Sequence, residues 1–444
     1  MDEKIFRAYD IRGTYPDQVN EEVAYKIASA YAEKIKPKTV VVGRDLREAS
    51  DKMFAAVVKA LTDRGVNVQD AGQMTNPMIG FAVFNYGLDG GIILSASHNP
   101  VGYGGMKMMR EDAVTIAGND EQLKKFSLEG VEPYDGPKGT VKKVDIFDDY
   151  VNFVRSLIDE KKLSRKKLLF DTTHGSVGLI IDKILKDLPV EADFIHKQPD
   201  FKFGGLCEPN PLNPEIQKEA LQKAAAGDYD FTLMWDGDGD RVFFLDEKGK
   251  FINAPYITAA LVETVVGKHG QRPVVCDPRI IWPLQNACQK VGVEMVTSKS
   301  GYRFMKETMG RVGASFGAEM TAHYFFEETH FMDNGIIPFL LIWELLSKSG
   351  KKISELVAPF QKDHFMIDEI KFKIEDPSAI ISELKTKYTD AKQDDLDGLT
   401  IEYPDWRMNF RASNTEPAAK LNLEAKNEKL LKEKTEELKK IIEK

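Results

Sequence analysis

The sequence predicts an α/β protein of several domains, with an antiparallel domain of different grammar at its C-terminal end. Short apolar, β-branched runs end in Gly or Asp at Thr39-Val40-Val41-Val42-Gly43-Arg44-Asp45, Leu168-Leu169-Phe170-Asp171 and Val274-Val275-Cys276-Asp277. Runs of this length between helical patterns are the mark of buried strands in α/β units. Near the C-terminus the pattern changes to alternation, at Trp406, Met408 and Phe410 and again at Leu421, Leu423 and Ala425.

Taken in order, Glu21–Ile35 is amphipathic and follows Asn20, a residue suited to cap a helix N-terminus. Met53–Leu61 is also helical in pattern, and so is Pro255–Val266, where Pro255 suits a first helical turn that needs no N–H from it. The three strand-Asp segments echo one another. Common ancestry and a shared strand grammar would both produce that echo. The alternating C-terminal segments are expected to be half-buried antiparallel strands. Asn427–Lys444, rich in Lys and Glu with Leu430, Leu431, Leu438, Ile441 and Ile442 among them, is expected to be a terminal helix with one solvated face. Boundaries near Asp148, the turn Glu247–Lys250 and Lys362 give domains 1–148, 149–250, 251–362 and 363–444.

Composition excludes several classes. The chain has 444 residues, 42% hydrophobic and 30% charged, enough apolar content for several cores without metal or disulfide staples. Its 61 Lys and Arg against 70 Asp and Glu give a net charge of −9, which argues against a general nucleic-acid binder. It leaves room for an anionic small substrate, because local Arg and Lys override net charge at close range. Cys207, Cys276 and Cys288 are odd in number and form no C-x-x-C, so neither a disulfide framework nor a zinc site is expected. The charged start MDEKIFRAYD is not expected to act as a signal peptide. The uncharged stretch Ala71–Leu88 carries Gln73, Asn76, Pro77 and Asn85 and is no bilayer span. The expectation is a cytoplasmic enzyme or binding protein with no membrane partner.

Four segments carry chemistry. Gly90-Gly91-Ile92-Ile93-Leu94-Ser95-Ala96-Ser97-His98-Asn99-Pro100 runs from a strand into a small-residue turn, placing Ser97 and His98 where open α/β sheets bind ligands. Ser97 there is a nucleophile or phosphate carrier, or else part of a turn that caps the next helix. A Ser–His–Asp hydrolase fits poorly, since adjacent residues of an extended chain point apart and no G-x-S-x-G elbow occurs. Asp236-Gly237-Asp238-Gly239-Asp240-Arg241 follows the strand-like Asp230–Trp235 and offers three alternate carboxylates, the oxygen ligands a hard cation such as Mg²⁺ wants. An EF-hand is excluded because Arg241 stands where that loop needs Gly and Val242–Leu245 is strand-like. Arg411-Ala412-Ser413-Asn414-Thr415-Glu416-Pro417 has the inventory of a phosphate cradle, or of a plain polar turn. In Gly317-Ala318-Glu319-Met320-Thr321-Ala322-His323, Glu319 and Thr321 suit sugar hydroxyls and His323 a phosphate.

Jointly, and with Ala8-Tyr9-Asp10-Ile11-Arg12-Gly13 ahead of them, these segments resemble the α-D-phosphohexomutase family, in particular its phosphomannomutase/phosphoglucomutase branch, in order and spacing over nearly the whole chain. The resemblance implies three related α/β domains and a TATA-box-binding-like fourth domain around a central cleft. It implies that Ser97 carries a phosphoryl group and, with Asp236, Asp238 and Asp240, holds Mg²⁺. Arg12 and Arg241 balance charge, His98 and Lys107 do acid–base work, and Tyr9 lies near the substrate phosphate. Arg279, Glu319, Thr321 and His323 then contact the substrate, and Arg411, Ser413, Asn414 and Thr415 clamp its distal phosphate. The implied reaction interconverts mannose 6-phosphate and mannose 1-phosphate through a hexose 1,6-bisphosphate, which also serves as activator, and extends to glucose phosphates. A chain that is mainly a phosphoglucomutase is the alternative within the family.

The chain departs from the family pattern at a few places. Thr321-Ala322 stand where many members have Ser-Gly, and Ala322 is expected to forbid the freedom of Gly. Arg279 stands where some members have Lys, and Tyr302 where many have His. These bear on substrate preference. Met320, where the glucosamine branch typically has Gln, argues against glucosamine phosphate. From other classes, an aspartate-nucleophile phosphatase using Asp236 and Asp238 leaves Ser97 and Arg411 unexplained. A non-catalytic sugar-phosphate sensor would need a lost carrier or ligand, and none is missing.

Overall fold

The computed structural model describes residues 1–374, 376–413 and 418–443. They form two units, 1–252 with 328–352, and 253–327 with 353–444. In the first unit, β1 (Ile11–Thr14), α1 (Glu21–Ile35), β2 (Thr39–Arg44), α2 (Glu48–Asp63), β3 (Asn67–Gln73), α3 (Asn76–Asn85), β4 (Gly90–Leu94), β5 (Tyr103–Arg110), β6 (Val114–Ile116), α4 (Glu121–Glu129) and β7 (Val141–Lys143) build a sheet of order β1-β5-β4-β2-β3-β7, with β6 beside β5. Asn20 caps α1 by accepting the Val23 N–H, as its position before the amphipathic run predicts. Val40, Val41 and Val42 of β2 are fully buried because helices cover both faces of the sheet.

A second sheet follows from α5 (Phe147–Ser156), β8 (Lys166–Asp171), α6 (Ile181–Leu185), β9 (Val190–Ile195), α7 (Pro214–Ala226), β10 (Phe231–Trp235), β11 (Val242–Leu245) and β12 (Phe251–Ile252), in the order β12-β11-β10-β8-β9. In the second unit, α8 (Ala254–His269), β13 (Val274–Cys276), α9 (Trp282–Val291), β14 (Met295–Thr297), α10 (Tyr302–Val312), β15 (Phe316–Ala318) and β16 (Tyr324–Phe326) give the order β14-β13-β15-β16. The helix α11 (Ile337–Ser349) belongs to the first unit, where its Phe339 meets Phe170 and Trp235 edge-on at 5.7 and 6.0 Å and covers the second sheet.

The three sheets share one plan, which makes the echo of the strand-Asp segments a matter of topology. Each holds a first strand between two parallel neighbours: β2 between β3 and β4, β8 between β9 and β10, β13 between β14 and β15. In each, the last of those parallel strands turns back into an antiparallel one: β4 into β5, β10 into β11, β15 into β16. The Ser97, Asp236–Arg241 and Glu319–His323 loops occupy that same reversal in the three sheets. It is the carboxyl end of a parallel strand, where α/β sheets expose their loop ends.

The second unit continues with α12 (Ile353–Gln361), β17 (Phe365–Met366), β18 (Ile370–Phe372), α13 (Ser378–Lys387), β19 (Lys392–Asp394), β20 (Leu399–Glu402), β21 (Trp406–Ala412), β22 (Ala419–Ala425) and α14 (Glu428–Ile442). Their sheet has the order β17-β22-β21-β20-β19, with β18 also on β22. The central pair β21 and β22 is antiparallel as expected but not half-buried, since Arg407, Asn409, Asn422 and Glu424 are buried along with the apolar face. The reason is polar pairing. Glu424 takes the Arg407 guanidinium at 3.2 Å and the backbone N–H groups of Ile281 and Trp282 at 3.0 Å each, so the buried carboxylate is paired inside the unit. The terminal helix α14 buries Leu438, Ile441 and Ile442, and Asn427 caps it.

Candidate active site

Two loops of the first unit converge. After β4 the chain turns at Ser97, whose φ of 49° lies in the left-handed region. The extended geometry expected there, with Ser97 and His98 pointing apart, therefore does not hold: Ser97 Oγ lies 3.2 Å from His98 Nδ1. Ser97 Oγ also donates to Asp236 Oδ2 at 3.3 Å, and the Ser97 N–H donates to Ser95 Oγ at 2.9 Å. Ser95 Oγ in turn donates to Asp238 Oδ2 at 2.9 Å, so the two serines of Ser95-Ala96-Ser97 both reach the aspartate loop.

The aspartate loop needs its glycines for different reasons. Gly239 has φ of 75°, a conformation that L side chains avoid. Gly237 lies so close to the serine loop that a Cβ would stand 2.9 Å from the Ser97 carbonyl oxygen and 2.7 Å from Pro209 Cγ. Asp236, Asp238 and Asp240 are buried and each offers an oxygen within 4.8 Å of the others. Arg241 donates from Nε to Asp236 Oδ2 at 2.8 Å. Lys107, on β5, donates from Nζ to Asp238 at 2.9 Å and Asp240 at 3.0 Å. Asn76, which opens α3, donates to Asp240 at 2.9 Å. Arg12 pairs with Asp10 and donates to Asn99 Oδ1 at 2.6 Å. Tyr9 is half-buried just ahead of β1.

Burial, together with the neighbouring Asp240 and Asp238 charges, pushes the Asp236 carboxyl up to about 7 against the pull of Arg241. Burial also opposes the charge on Lys107, but Asp238 and Asp240 outweigh it and hold that group well above the ordinary lysine value. The carboxylates thus remain short of positive charge. Among the described residues Asp238 Oδ1 is buried and has no hydrogen-bond partner. An all-oxygen cluster with an unmet acceptor fits a hard divalent cation.

The second unit gathers another set by itself. Arg279, 3% exposed, donates from Nε to Asp277 at 2.8 Å. The same guanidinium faces Glu319 and Glu369 at 3.6 Å each and donates to Thr321 Oγ1 at 3.4 Å. Glu319 accepts the Gly301 N–H at 2.6 Å, and burial raises its carboxyl against the pull of His323 and Arg279. The loop closes through Glu319 N–H to His323 O at 2.9 Å, and Ala322 stands at φ 67°. Alanine therefore adopts the left-handed turn it was expected to forbid. Arg411 is buried with Nε 3.7 Å from Asp397. Ser413 N–H donates to Ala418 O at 2.7 Å, while Asn414 and Thr415 lie outside the described residues.

Sequence reasoning missed Ser95, Asn76 and Arg47. The alternate serines were a signal for the first. Arg47, which donates to the Ser97, Asn99 and Pro100 carbonyls, and Asn76 touch the loops from elements distant in sequence, and no local pattern points to them.

Models of the phosphoglucomutase/phosphomannomutase family match the chain in three pieces: alpha/beta/alpha domain I at residues 3–126, domain II at 148–249 and domain III at 254–362. A phosphomannomutase of Salmonella montevideo is 37% identical over 98% of this chain and 97% of its own length. A Xanthomonas campestris pv. campestris protein named phosphohexose mutases is 34% identical over 98% of both chains. The crystal structure of a phosphoglucomutase/phosphomannomutase family protein from Burkholderia thailandensis, 26% identical, superposes with a TM-score of 0.89 over 100% of this chain and 98% of that one.

Proposed function

This chain belongs to the α-D-phosphohexomutase family, that of the phosphoglucomutases and phosphomannomutases, and from that premise we propose that it interconverts mannose 6-phosphate and mannose 1-phosphate, using glucose phosphates as well. The observation that carries the reading is Ser97 Oγ held 3.3 Å from Asp236 within the buried aspartate cluster. Ser97 carries the phosphoryl group. It gives that group to a sugar hydroxyl, whose proton leaves to His98, and the Ser97 oxygen is left free. The product is a hexose 1,6-bisphosphate. After the sugar turns end for end, the Ser97 oxygen takes back the other phosphoryl group and the proton returns to the freed sugar oxygen.

Asp236, Asp238 and Asp240 would hold Mg²⁺, which when bound supplies positive charge to the transferred phosphoryl oxygens. Arg241 and Lys107 stay charged and hold these carboxylates apart from one another's repulsion. Lys107 acts in this reading as a fixed cation, since its partners keep it protonated. Arg12 orients Asn99 on the serine loop. Glu319 and Thr321 bind the sugar O3 and O4, and Arg411, with its loop through Thr415, takes the distal phosphate. Free cysteines are compatible with a cytoplasmic setting.

A coupled assay with mannose, glucose and glucosamine phosphates as separate substrates tests the reading. Mannose and glucose 1-phosphates are expected within about a hundredfold of each other in kcat/KM, because a site reading O3 and O4 leaves no buried group unpaired by the C2 epimer. Intact mass is expected to show one phosphate that Ser97→Ala loses, and hexose 1,6-bisphosphate to revive dephosphorylated enzyme. Release of free phosphate in place of isomerised sugar phosphate would refute the mutase.

A further inference from the structure

The shared plan of the three sheets carries a shared device. Each first strand ends on an aspartate: Asp45 after β2, Asp171 closing β8, Asp277 after β13. Each aspartate accepts, through Oδ1, the backbone N–H of the residue two positions on: Arg47 at 2.9 Å, Thr173 at 2.8 Å, Arg279 at 2.9 Å. That residue then reaches the neighbouring parallel strand's reversal. Arg47 donates from its guanidinium to the carbonyls of Ser97 at 2.6 Å, Asn99 at 2.5 Å and Pro100 at 2.8 Å. Thr173 Oγ1 donates to the carbonyl of Trp235, the residue before Asp236, at 3.0 Å. Arg279 reaches Thr321 Oγ1 at 3.4 Å and pairs with Glu319 at 3.6 Å.

We propose that Arg47, Thr173 and Arg279 are three copies of one positioning device, each locked by a strand-end aspartate and each bracing one functional loop. Arg47 braces the loop read above as the phosphoryl carrier, Thr173 the metal loop and Arg279 the sugar loop, so the assignment of effects rests on that reading. Arg47 is the strongest case. It is 2% exposed, its guanidinium lies 4.9 Å from the Phe203 ring centroid, and it touches the loop only at main-chain carbonyls, so it takes no part in the chemistry. A left-handed turn at a non-glycine residue such as Ser97 is unfavourable unless something holds it. Three charge-assisted bonds from one planar fork hold it here. Because C=O and N–H of a trans peptide point in opposite directions, the grip on the Ser97 carbonyl also aims the His98 N–H away from Arg47. A lysine keeps the charge but, as a point donor, cannot span three carbonyls.

The test compares Arg47→Lys, Thr173→Val and Arg279→Lys by steady-state kinetics, thermal melting and amide hydrogen exchange. Arg47→Lys is expected to lower kcat about a hundredfold, the usual cost of a small misplacement, with KM within a few-fold. Faster exchange is expected only across the Ser97–Tyr103 segment. Thr173→Val is expected to speed exchange at Asp236–Arg241, and Arg279→Lys to speed it at Glu319–His323 and to raise KM for the hexose phosphate. A purely structural role would lower the melting temperature and speed exchange without this loop-by-loop division. If Arg47→Lys fails to fold, Phe203→Leu, which removes only the ring beneath the guanidinium, is expected to lower kcat at unchanged KM. Unchanged exchange and unchanged kcat in either folded variant overturn the brace. The exchange measurement needs no turnover, so a wild-type chain that does not isomerise hexose phosphates refutes the mutase reading while leaving the brace to be judged by exchange.

Discussion

The Asp236–Arg241 loop and the Glu319–His323 loop sit at the same reversal of the same sheet plan, yet their carboxylates differ in condition. In the first unit Asp236, Asp238 and Asp240 face Lys107 and Arg241. In the second, Asp277, Glu319 and Glu369 face Arg279 and Lys420. The outcomes differ, and Arg411 adds to the pull on Glu369. Burial and mutual crowding push Asp236 up to about 7. Burial would raise Asp277 and Glu369 too, but Arg279 wins at both, with further backbone N–H bonds at Asp277 and Lys420 at Glu369, and Glu369 is held at about 2. The first set is arranged to receive one more cation. The second is arranged to hold a shape, with Glu319 alone left poorly compensated for burial.

The largest test removes that difference at its source. Asp238→Asn deletes the carboxylate whose Oδ1 has no partner among the described residues. A bound cation's charge stabilisation is worth several kcal/mol and 1.36 kcal/mol is tenfold, so turnover is expected to fall by roughly 10³. Exhaustive EDTA treatment is expected to abolish activity and Mg²⁺ to restore it. Undiminished rates in EDTA would contradict the reading of the first loop as a cation site. Next in size is Gly237→Ala. Its new Cβ meets the Ser97 carbonyl at 2.9 Å and Pro209 at 2.7 Å, so the serine and aspartate loops must part. A displacement of that order is expected to cost about a hundredfold in kcat, measured at saturating substrate. A variant with full kcat would mean that the two loops need not approach this closely.

Glu319→Gln tests the second loop. A hydrogen bond to a charged group is worth about 1.5–3 kcal/mol, so kcat/KM is expected to fall roughly 10- to 100-fold, and by similar factors for mannose and glucose phosphates. The pH dependence has a defined sign. Burial raises Glu319, so its ionised, accepting form is lost as pH falls through a value above the ordinary glutamate range. Hexose phosphate affinity is expected to weaken on that limb in the wild type. Glu319→Gln should lose the limb while keeping whatever belongs to the substrate's own ionisation. A limb unchanged in the variant would assign it elsewhere.

What could be read from the sequence follows the same division between local and distant causes. The strand ends, the serine turn and the three alternate aspartates were legible because composition and spacing over a few residues specify them. The helix from Glu21 was legible because Asn20 caps it. The bracing by Arg47 was not, since its three carbonyl partners lie about fifty positions away and accept through main-chain atoms that any residue provides. Nor was the double burial of β21 and β22. Alternating polar residues imply a wet face unless their partners are known, and Glu424 finds two of its partners at Ile281 and Trp282 on another element. The left-handed Ser97 escaped for a similar reason, because a strand-end serine is extended by default and only the surrounding bonds say otherwise.

Ala322 gives the smallest and most discriminating test of the second loop's stiffness. The residue stands at φ 67°, fully buried, with its N–H donating to Glu319 O at 3.1 Å. The left-handed region costs a non-glycine residue about 1–2 kcal/mol. Glycine removes that cost but gains freedom in the unfolded chain, which takes back about 0.4–1 kcal/mol. Ala322→Gly is therefore expected to stabilise by between zero and about 1.6 kcal/mol. The thermal transition of the second unit should stay level or rise slightly. Activity separates two causes of loop geometry. If the Asp277–Arg279–Glu319 pairs hold the loop, glycine leaves the Glu319 carboxylate in place and kcat/KM stays within about threefold, the change of about 0.6 kcal/mol that surface-scale effects produce. If instead the alanine methyl packs the loop into register, glycine loosens it and kcat/KM falls for mannose and glucose phosphates alike, without loss of stability. That second result would move the origin of the loop's shape from its ion pairs to its one buried methyl group, and the contrast drawn with the aspartate loop would no longer rest on charge.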